Sequence, residues 1–154
     1  MRGQTIIIQN EWHNKIKMIR VTRKEHFNAA HKLHREEWSP EKNWEVFGKC
    51  SNANWHGHNY EIFVTVKGTP DPETGFVVDL KKLSMLIKEY VTEELDHKNI
   101  NLDVPWMKGK IASTENLAVE IWKRLLPQID KLGCQLHCIK LYETENNFVE
   151  YLGE

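Results

Sequence analysis

The sequence lacks any apolar run long enough to cross a membrane. Stretches such as Thr5-Ile6-Ile7-Ile8 are far shorter than the roughly 20 residues that a spanning helix needs. It also lacks the succession of charged, apolar and small residues that marks a secretory signal peptide. These absences predict a soluble, cytoplasmic protein without a membrane partner.

Neither an excess of basic residues nor a glycine-rich dinucleotide fingerprint is present. Lys and Arg number 21 against 22 Asp and Glu, which gives a formal net charge of -1. Proteins that follow a nucleic-acid backbone present a basic stripe, so we expect no nucleic-acid partner. The absence of a glycine-rich dinucleotide fingerprint argues against a nicotinamide or flavin cofactor.

Cysteine is also scarce. Cys50, Cys134 and Cys138 form no C-x-x-C pair, and their odd number in a chain without an export signal argues against a disulfide framework. At least one thiol is therefore free for chemistry. Cys134 and Cys138 are expected to pack in the last sheet and are assigned no role.

The residues that are present suit one compact domain. The 40% hydrophobic content, with six Trp, five Phe and four Tyr, is ample for a packed core. We assign residues 16–154 to a single domain. Residues 1–15 are either a leader or a short extra strand, and the pattern leaves both alternatives open.

Two long strands are predicted in the first half of the chain. The segment from Ile16 to about Ala30 has the pattern of a strand, and apolar residues alternate with polar ones from Asn59 to Lys67. We expect the two segments to form an antiparallel pair. Residues 34–54 between them are charged and contain helix and strand breakers, which predicts a long ordered loop.

Two helices and two further strands follow. Asp79 can cap a helix whose apolar residues recur at helical spacing to Leu95, and a second helix should run from Ser113 or Thr114 to about Pro127. Runs at 136–142 and 148–152 have strand patterns. The order ββααββ predicts an α+β domain with a four-stranded antiparallel sheet, two helices on one face and exposed edges that favour oligomerisation.

A candidate metal site centres on His56-Gly57-His58. On a strand both imidazoles project to the same side. Composition alone gives about 0.4 chance His-x-His pairs, so this motif is by itself only a modest signal. His31 strengthens it, because an antiparallel partner could place it opposite the other two. Three neutral imidazoles leave one tetrahedral position open, as in catalytic zinc, and zinc is the leading choice.

Two further motifs could transfer protons. Cys50 is either a small buried apolar residue or, beside a cation in its polar loop, a thiolate base or nucleophile. Asp96-His97 is either a turn at the end of a helix or a carboxylate that orients an imidazole. The pattern leaves both choices open.

Two motifs could recognise a ligand. Ser113-Thr114-Glu115 is most simply the start of a helix, with a hydroxyl cap and an acidic residue in the first turn. Glu143 closes a predicted strand. It is either a solvated strand end or a pocket carboxylate that makes paired hydrogen bonds to the guanidine-like edge of a pterin or guanine.

Taken together, five motifs in order make the chain resemble the 6-pyruvoyl-tetrahydropterin synthase family, from about Met18 to Glu154. They are Phe27-Asn28-Ala29-Ala30-His31, the run from Cys50 to Tyr60, Leu95-Asp96-His97-Lys98-Asn99, Ser113-Thr114-Glu115-Asn116 and the run from Tyr142 to Asn147. The resemblance implies the tunnelling fold (T-fold). In that fold trimers join their sheets into barrels, and two trimers stack into a homohexamer with active sites at subunit interfaces.

The resemblance also implies residue roles. His31, His56 and His58 match the zinc ligands, Cys50 the catalytic cysteine, and Asp96 with His97 the proton-transfer pair. Glu143 matches the pterin anchor, and Thr114 and Glu115 match residues that help to line the pterin pocket. The implied substrate is 7,8-dihydroneopterin triphosphate, which would be converted to 6-pyruvoyl-tetrahydropterin with release of triphosphate.

Three other functions remain open at this point. The sister 6-carboxy-5,6,7,8-tetrahydropterin synthases of queuosine biosynthesis use the same substrate but release acetaldehyde as well as triphosphate. The five residues between Cys50 and His56 look closer to the tetrahydrobiopterin-route enzymes, whereas Trp55 departs from their pattern and could narrow the pocket. A pterin- or purine-binding protein without activity, or a structural zinc domain, would belong to another class.

Overall fold

The computed structural model describes residues 18–154. The proposed leader at 1–15 and the first residues of the first predicted strand lie outside this range. Within it are five strands and five α-helices. The strands are β1 (Ile19–His31), β2 (His56–Gly68), β3 (Lys98–Asn99), β4 (Gln135–Tyr142) and β5 (Phe148–Tyr151). The helices are α1 (Pro40–Phe47), α2 (Leu80–Ile87), α3 (Glu93–Leu95), α4 (Ile100–Asp103) and α5 (Thr114–Asp130).

The strands form one mixed sheet in the order β3-β1-β2-β4-β5. β1 and β2 pair antiparallel along their whole length, from Ile19 opposite Gly68 to His31 opposite His56. β4 and β5 continue the antiparallel part. The α+β class is confirmed, but the expectation of four antiparallel strands was wrong, because β3 adds a fifth strand parallel to β1. Two residues are too few to show a period in the sequence.

The core lies between one face of the sheet and the helices. Tyr60, Ile62, Val64 and Val66 of β2 are fully buried, as their alternation predicts. α2, α3 and α5 pack on this face and add apolar side chains at helical spacing. Burial of this surface is the main favourable contribution to folding. No helix in the range 18–154 is long and apolar enough to cross a membrane.

The first predicted helix begins where its cap predicts. The Asp79 carboxylate accepts hydrogen bonds from the backbone N–H groups of Lys81 and Lys82 at the start of α2. A π-helical segment, Lys88–Thr92, then joins α2 to α3 without a break. Leu95 is buried and Asp96 leaves the helix in extended conformation, so this helix places Asp96 and His97 at the sheet edge.

Two expectations needed correction. α5 continues through Pro127 to Asp130 rather than ending near the proline. Proline removes one backbone hydrogen bond, but the fully buried side chain of Ile129 keeps the last turn on the core. The predicted loop at 34–54 contains α1, which begins at Pro40, and the Ser39 hydroxyl caps it by accepting from the Lys42 N–H.

Candidate metal centre and active site

The register of β1 and β2 brings the three histidines together. His31 lies directly opposite His56, and His58 is two residues further along β2 on the same face. The ring centroids are 4.6 to 5.1 Å apart. Each histidine offers one ring nitrogen, and these three atoms lie within 4.8 Å of one another. A single ion could therefore contact all three.

Hydrogen bonding and burial prepare these imidazoles to bind a metal. His31 Nδ1 donates to the carbonyl of Ala112 at 2.7 Å, which fixes the tautomer with a lone pair on Nε2. His31 Nε2, His56 Nδ1 and His58 Nε2 are buried without a hydrogen-bond partner among the described residues. Burial lowers the pKa of His31 and of His58, which favours neutral imidazoles. Such unpaired nitrogens are costly unless something binds them, so the site fits a metal ion.

Glu143 follows β4 directly and lies beside the histidines. Its Oε1 is 3.4 Å from His31 Nε2 and 3.7 Å from His58 Nε2. The same oxygen accepts a hydrogen bond from the Thr114 hydroxyl at 3.1 Å. Thr114 is the first residue of α5, where the Ser113 hydroxyl caps the helix by accepting a backbone N–H. Packing of α5 against β4 thus joins two motifs that are 29 residues apart.

Cys50 lines a cavity that Glu143 also lines. It lies in a 3-10 turn, Gly48–Ser51, and its carbonyl accepts the Leu33 N–H at 2.8 Å, which ties this turn to the end of β1. The half-buried Cys50 lines a cavity of about 390 Å³ with Thr114, Glu115 and Glu143. The structure therefore brings Cys50 and the predicted pterin-contacting residues together within a single chain.

Tyr60 is a site residue that the sequence pattern did not reveal. Its phenol lies 3.4 Å from His31 Nδ1 and is fully buried. Burial, with the nearby charges of Glu143 and Cys50, raises the pKa of Tyr60 far above its ordinary value. In the sequence Tyr60 is indistinguishable from the other buried residues of β2. The Ala112 carbonyl likewise has no sequence signal.

Asp96 and His97 form a hydrogen-bonded pair, but the pair does not line the cavity of Cys50. The Asp96 carboxylate accepts the Asn28 N–H and His97 Nδ1, each at 2.8 Å. The hydrogen bond from the Asn28 N–H lowers the pKa of Asp96 most, and the hydrogen bond from His97 lowers it further. The His97 side chain is 79% exposed, and its φ of 58° is left-handed. It lines an open groove with His58 and is absent from the cavity of Cys50.

Trp55 has an unusual backbone conformation and lies beside Lys32. It has a φ of 66°, which is uncommon for a bulky residue, and the Lys32 ammonium lies 4.4 Å from the centre of its ring. Trp55 lines a separate cavity together with Lys32. It does not line the cavity that Cys50 and Glu143 share.

The mixed sheet, its packed helices and the three convergent imidazoles define an α+β domain with a candidate metal centre. Comparison with known proteins narrows this class. The model of the 6-pyruvoyl tetrahydropterin synthase family matches residues 20–154. A 6-pyruvoyl tetrahydrobiopterin synthase from Pongo abelii is 46% identical over 134 residues, which cover 87% of this chain and 91% of that protein. The chain therefore belongs to the 6-pyruvoyl tetrahydropterin synthase family.

Two further comparisons describe the range of the family. The solved structure of Caenorhabditis elegans 6-pyruvoyl tetrahydropterin synthase aligns with a TM-score of 0.84 at 35% identity, covering 90% of this chain and 98% of that one. A 6-carboxy-5,6,7,8-tetrahydropterin synthase from Rickettsia bellii is 28% identical, covering 86% of this chain and 99% of that protein. The chain is thus nearer in sequence to the relatives that carry the tetrahydrobiopterin name.

Proposed function

We propose that the chain is a zinc-dependent 6-pyruvoyl-tetrahydropterin synthase, which converts 7,8-dihydroneopterin triphosphate to 6-pyruvoyl-tetrahydropterin and releases triphosphate. The observation that carries this proposal is the meeting of three unpaired imidazoles with Glu143 and the cavity of Cys50. The 46% identity to a named synthase over most of the chain supports it. The reaction rearranges one substrate internally, so it needs no nicotinamide or flavin.

His31, His56 and His58 would hold the metal. An all-imidazole donor set suits zinc, and a bound zinc ion supplies Lewis acidity that makes a neighbouring C–H easier to deprotonate. The Ala112 carbonyl orients His31, which is how ligands of catalytic zinc are commonly supported. The carboxylate of Glu143 lies beside these imidazoles. We assign it to the substrate rather than to the metal.

Glu143 would anchor the pterin ring. Its carboxylate can accept two hydrogen bonds from the guanidine-like edge of the ring, an arrangement that gives geometric specificity. The Thr114 hydroxyl holds one carboxylate oxygen at 3.1 Å and so fixes the direction of the other. Glu115 lines the same cavity and would contact the ring from the first turn of α5.

Cys50 would remove a proton from the substrate side chain. It lines the cavity that Glu143 also lines, and Glu143 Oε1 is 3.4 Å from His31 Nε2. The side chain of a ring bound to Glu143 would extend toward the thiol and the histidines. A positioned base of this kind typically contributes about 10²- to 10⁴-fold to a rate.

Asp96 and His97 would complete the site from a neighbouring subunit. Within one protomer His97 is exposed in an open groove and does not share the cavity of Cys50. Assembly into the T-fold hexamer, with active sites at subunit interfaces, would cover this groove and give the pair a substrate. The short edge strands β3 and β5, and the part of β1 that β3 does not cover, suit such an assembly.

The test is turnover by purified, zinc-loaded protein. With 7,8-dihydroneopterin triphosphate we expect triphosphate and 6-pyruvoyl-tetrahydropterin, and Cys50→Ala should lose at least about 10²-fold in rate while it still binds the pterin. Cys138→Ala is the matched control, because Cys138 is a half-buried thiol on β4 far along the sheet. No triphosphate release by the wild type would refute the proposal. Acetaldehyde among the products would identify the 6-carboxytetrahydropterin activity instead.

A further inference from the structure

A second cavity is lined by chain neighbours of the histidines, and several of its lining side chains are basic. It has a volume of about 650 Å³, within the usual range of ligand pockets. Four basic side chains line it, those of Lys32, Arg35, Lys108 and Lys110. We call it the basic cavity. None of these residues takes part in the site described above.

The walls of the basic cavity are chain neighbours of the metal centre. Lys32 follows His31 directly, and Trp55 precedes His56 directly. Ile111 precedes the residue whose carbonyl accepts the hydrogen bond from His31. Consecutive Cα atoms are about 3.8 Å apart, so three separate wall segments lie within one residue of the metal centre or its support.

The charge of the basic cavity is only partly compensated. Glu36 and Glu37 also line it, and Arg35 donates to Glu37 at 2.6 Å. The Lys110 ammonium donates to a backbone carbonyl at 2.8 Å. Within residues 18–154, neither Lys32 nor Lys108 has a carboxylate within 4.0 Å. Two ammonium groups are therefore available to an anion.

Trp55 holds one of these ammonium groups in place. Its ring lies under Lys32 Nζ at 4.4 Å, a cation–π contact that restricts a flexible side chain. Trp55 also has a left-handed φ of 66°, which is unfavourable for a residue with a Cβ. Backbone strain of this kind concentrates at functional sites. Here the strained residue contacts the Lys32 ammonium group.

We propose that the basic cavity is the subsite for the triphosphate of the substrate, with Lys32 and Lys108 as phosphate ligands and Trp55 as the positioning residue for Lys32. This inference rests on the proposed function. The substrate carries its triphosphate on the terminal carbon of a three-carbon side chain, next to the hydroxyl groups expected at the histidines. With the ring at Glu143 and the side chain at the histidines, the phosphates would reach the basic cavity, two of whose wall residues adjoin His31 and His56 in the chain.

The test compares the binding of two unreactive oxidised pterins, neopterin triphosphate and neopterin, to the full-length, zinc-loaded protein. The ratio of their dissociation constants isolates the contribution of the triphosphate. We expect the wild type to bind neopterin triphosphate at least about ten-fold more tightly, since charge-assisted contacts to phosphate are strong. Lys108→Gln and Lys32→Gln should each reduce this ratio about five-fold and leave the affinity for neopterin unchanged.

Matched variants distinguish the loss of phosphate binding at this subsite from the effect of removing any surface charge and from a loss of stability. Lys131→Gln removes an exposed charge beyond the end of α5 and should leave the ratio unchanged. Trp55→Gly relieves the positive φ, so thermal stability should not fall, while the ratio should decrease because Lys32 is no longer held. Lys108 is exposed in a surface segment, so its variant is expected to fold.

The outcomes distinguish the subsite from the proposed function. A wild type that forms pyruvoyl-tetrahydropterin but binds both pterins equally would overturn the subsite and leave the function standing. Equal ratios for Lys108→Gln, Lys32→Gln and Lys131→Gln would overturn it too. A ratio that depends on Lys108 in a protein that turns over no substrate would support the subsite and refute the function.

Discussion

Replacing Asp96 by Asn should separate a catalytic effect from a structural one. In the structure Asp96 Oδ1 accepts the Asn28 N–H and Oδ2 accepts His97 Nδ1, both at 2.8 Å. An asparagine can keep the first bond through its carbonyl oxygen. Its amide NH₂ group then faces His97 Nδ1, and because it can only donate, Nδ1 must give up its proton and the imidazole must take the other tautomer.

The expected magnitudes differ widely between stability and rate. The Asp96–His97 contact is solvent-exposed, and such pairs contribute at most about 1 kcal/mol. Changing the Asn28 bond from a charged to a neutral acceptor costs about 1 kcal/mol more. Loss of the carboxylate that orients a catalytic histidine can cost about 10⁴ in kcat through the wrong tautomer. We therefore expect a folded variant whose kcat falls between about 10²- and 10⁴-fold.

The assay is the rate of triphosphate release from 7,8-dihydroneopterin triphosphate, with urea unfolding measured in parallel. Asp71→Asn is the matched control, because the exposed Asp71 carboxylate also accepts backbone N–H groups, those of Glu73 and Thr74 at 2.9 Å, but orients no histidine. It should lose similar stability and little activity. A kcat for Asp96→Asn within about two-fold of the wild type would refute the role of the pair, given the 10²-fold minimum expected of a proton-transfer group.

Two further predictions concern the sheet that carries the site. Burial alone would raise the pKa of Glu25, but the Ser84 hydroxyl donating at 2.6 Å and a neighbouring arginine hold the pKa below its ordinary value of 4.5. Glu25→Gln should lower the free energy of unfolding by about 1–2 kcal/mol at neutral pH. A carboxyl group whose pKa is lower in the folded state stabilises the fold at pH values above its unfolded-state pKa. The difference in unfolding free energy between wild type and Glu25→Gln should therefore vanish as the pH falls through the folded-state pKa of Glu25. Urea titrations that give the same difference at every pH would contradict this assignment. In Gly57→Ala the new Cβ would lie 3.3 Å from the Ala29 carbonyl oxygen, so β1 and β2 must separate slightly at the metal centre. Zinc affinity, measured by competition with a chelator, should fall roughly ten-fold with little change in circular dichroism, and an unchanged affinity would show that the close approach is unimportant.

Much of the fold could be predicted because its signals are local. The alternation along β2, the Asp79 cap and the helical spacing from Leu83 to Leu95 are properties of neighbouring residues, and the structure reproduces each of them. The helix α1 was missed although Ser39-Pro40 is a good start signal. Breakers and charges dominated the segment, and its apolar side chains Trp44 and Val46 remain exposed, so no core-facing stripe indicated a helix.

The residues of the candidate site could be predicted only where a local pattern places them. His56 and His58 share a strand, so the two-residue period places them on one face. His31 depended on a register that the sequence only suggested and that the full pairing of β1 with β2 supplies. The roles of Tyr60 and of the Ala112 carbonyl depend on contacts between distant segments, and a backbone carbonyl has no identity in a sequence.

The sequence by itself determined the class of the domain, the family and the types of group available for chemistry, because periodicity, caps and motif order are written in contiguous residues. Only the tertiary structure decided which of these groups meet. Sheet register and helix packing bring Thr114 to Glu143 and Cys50 into their cavity, yet leave His97 in a separate, open groove. They also place Lys32 and Lys108, 76 positions apart in the chain, on one cavity beside the histidines. Such distances depend on how strands pair and helices pack, which no local pattern specifies.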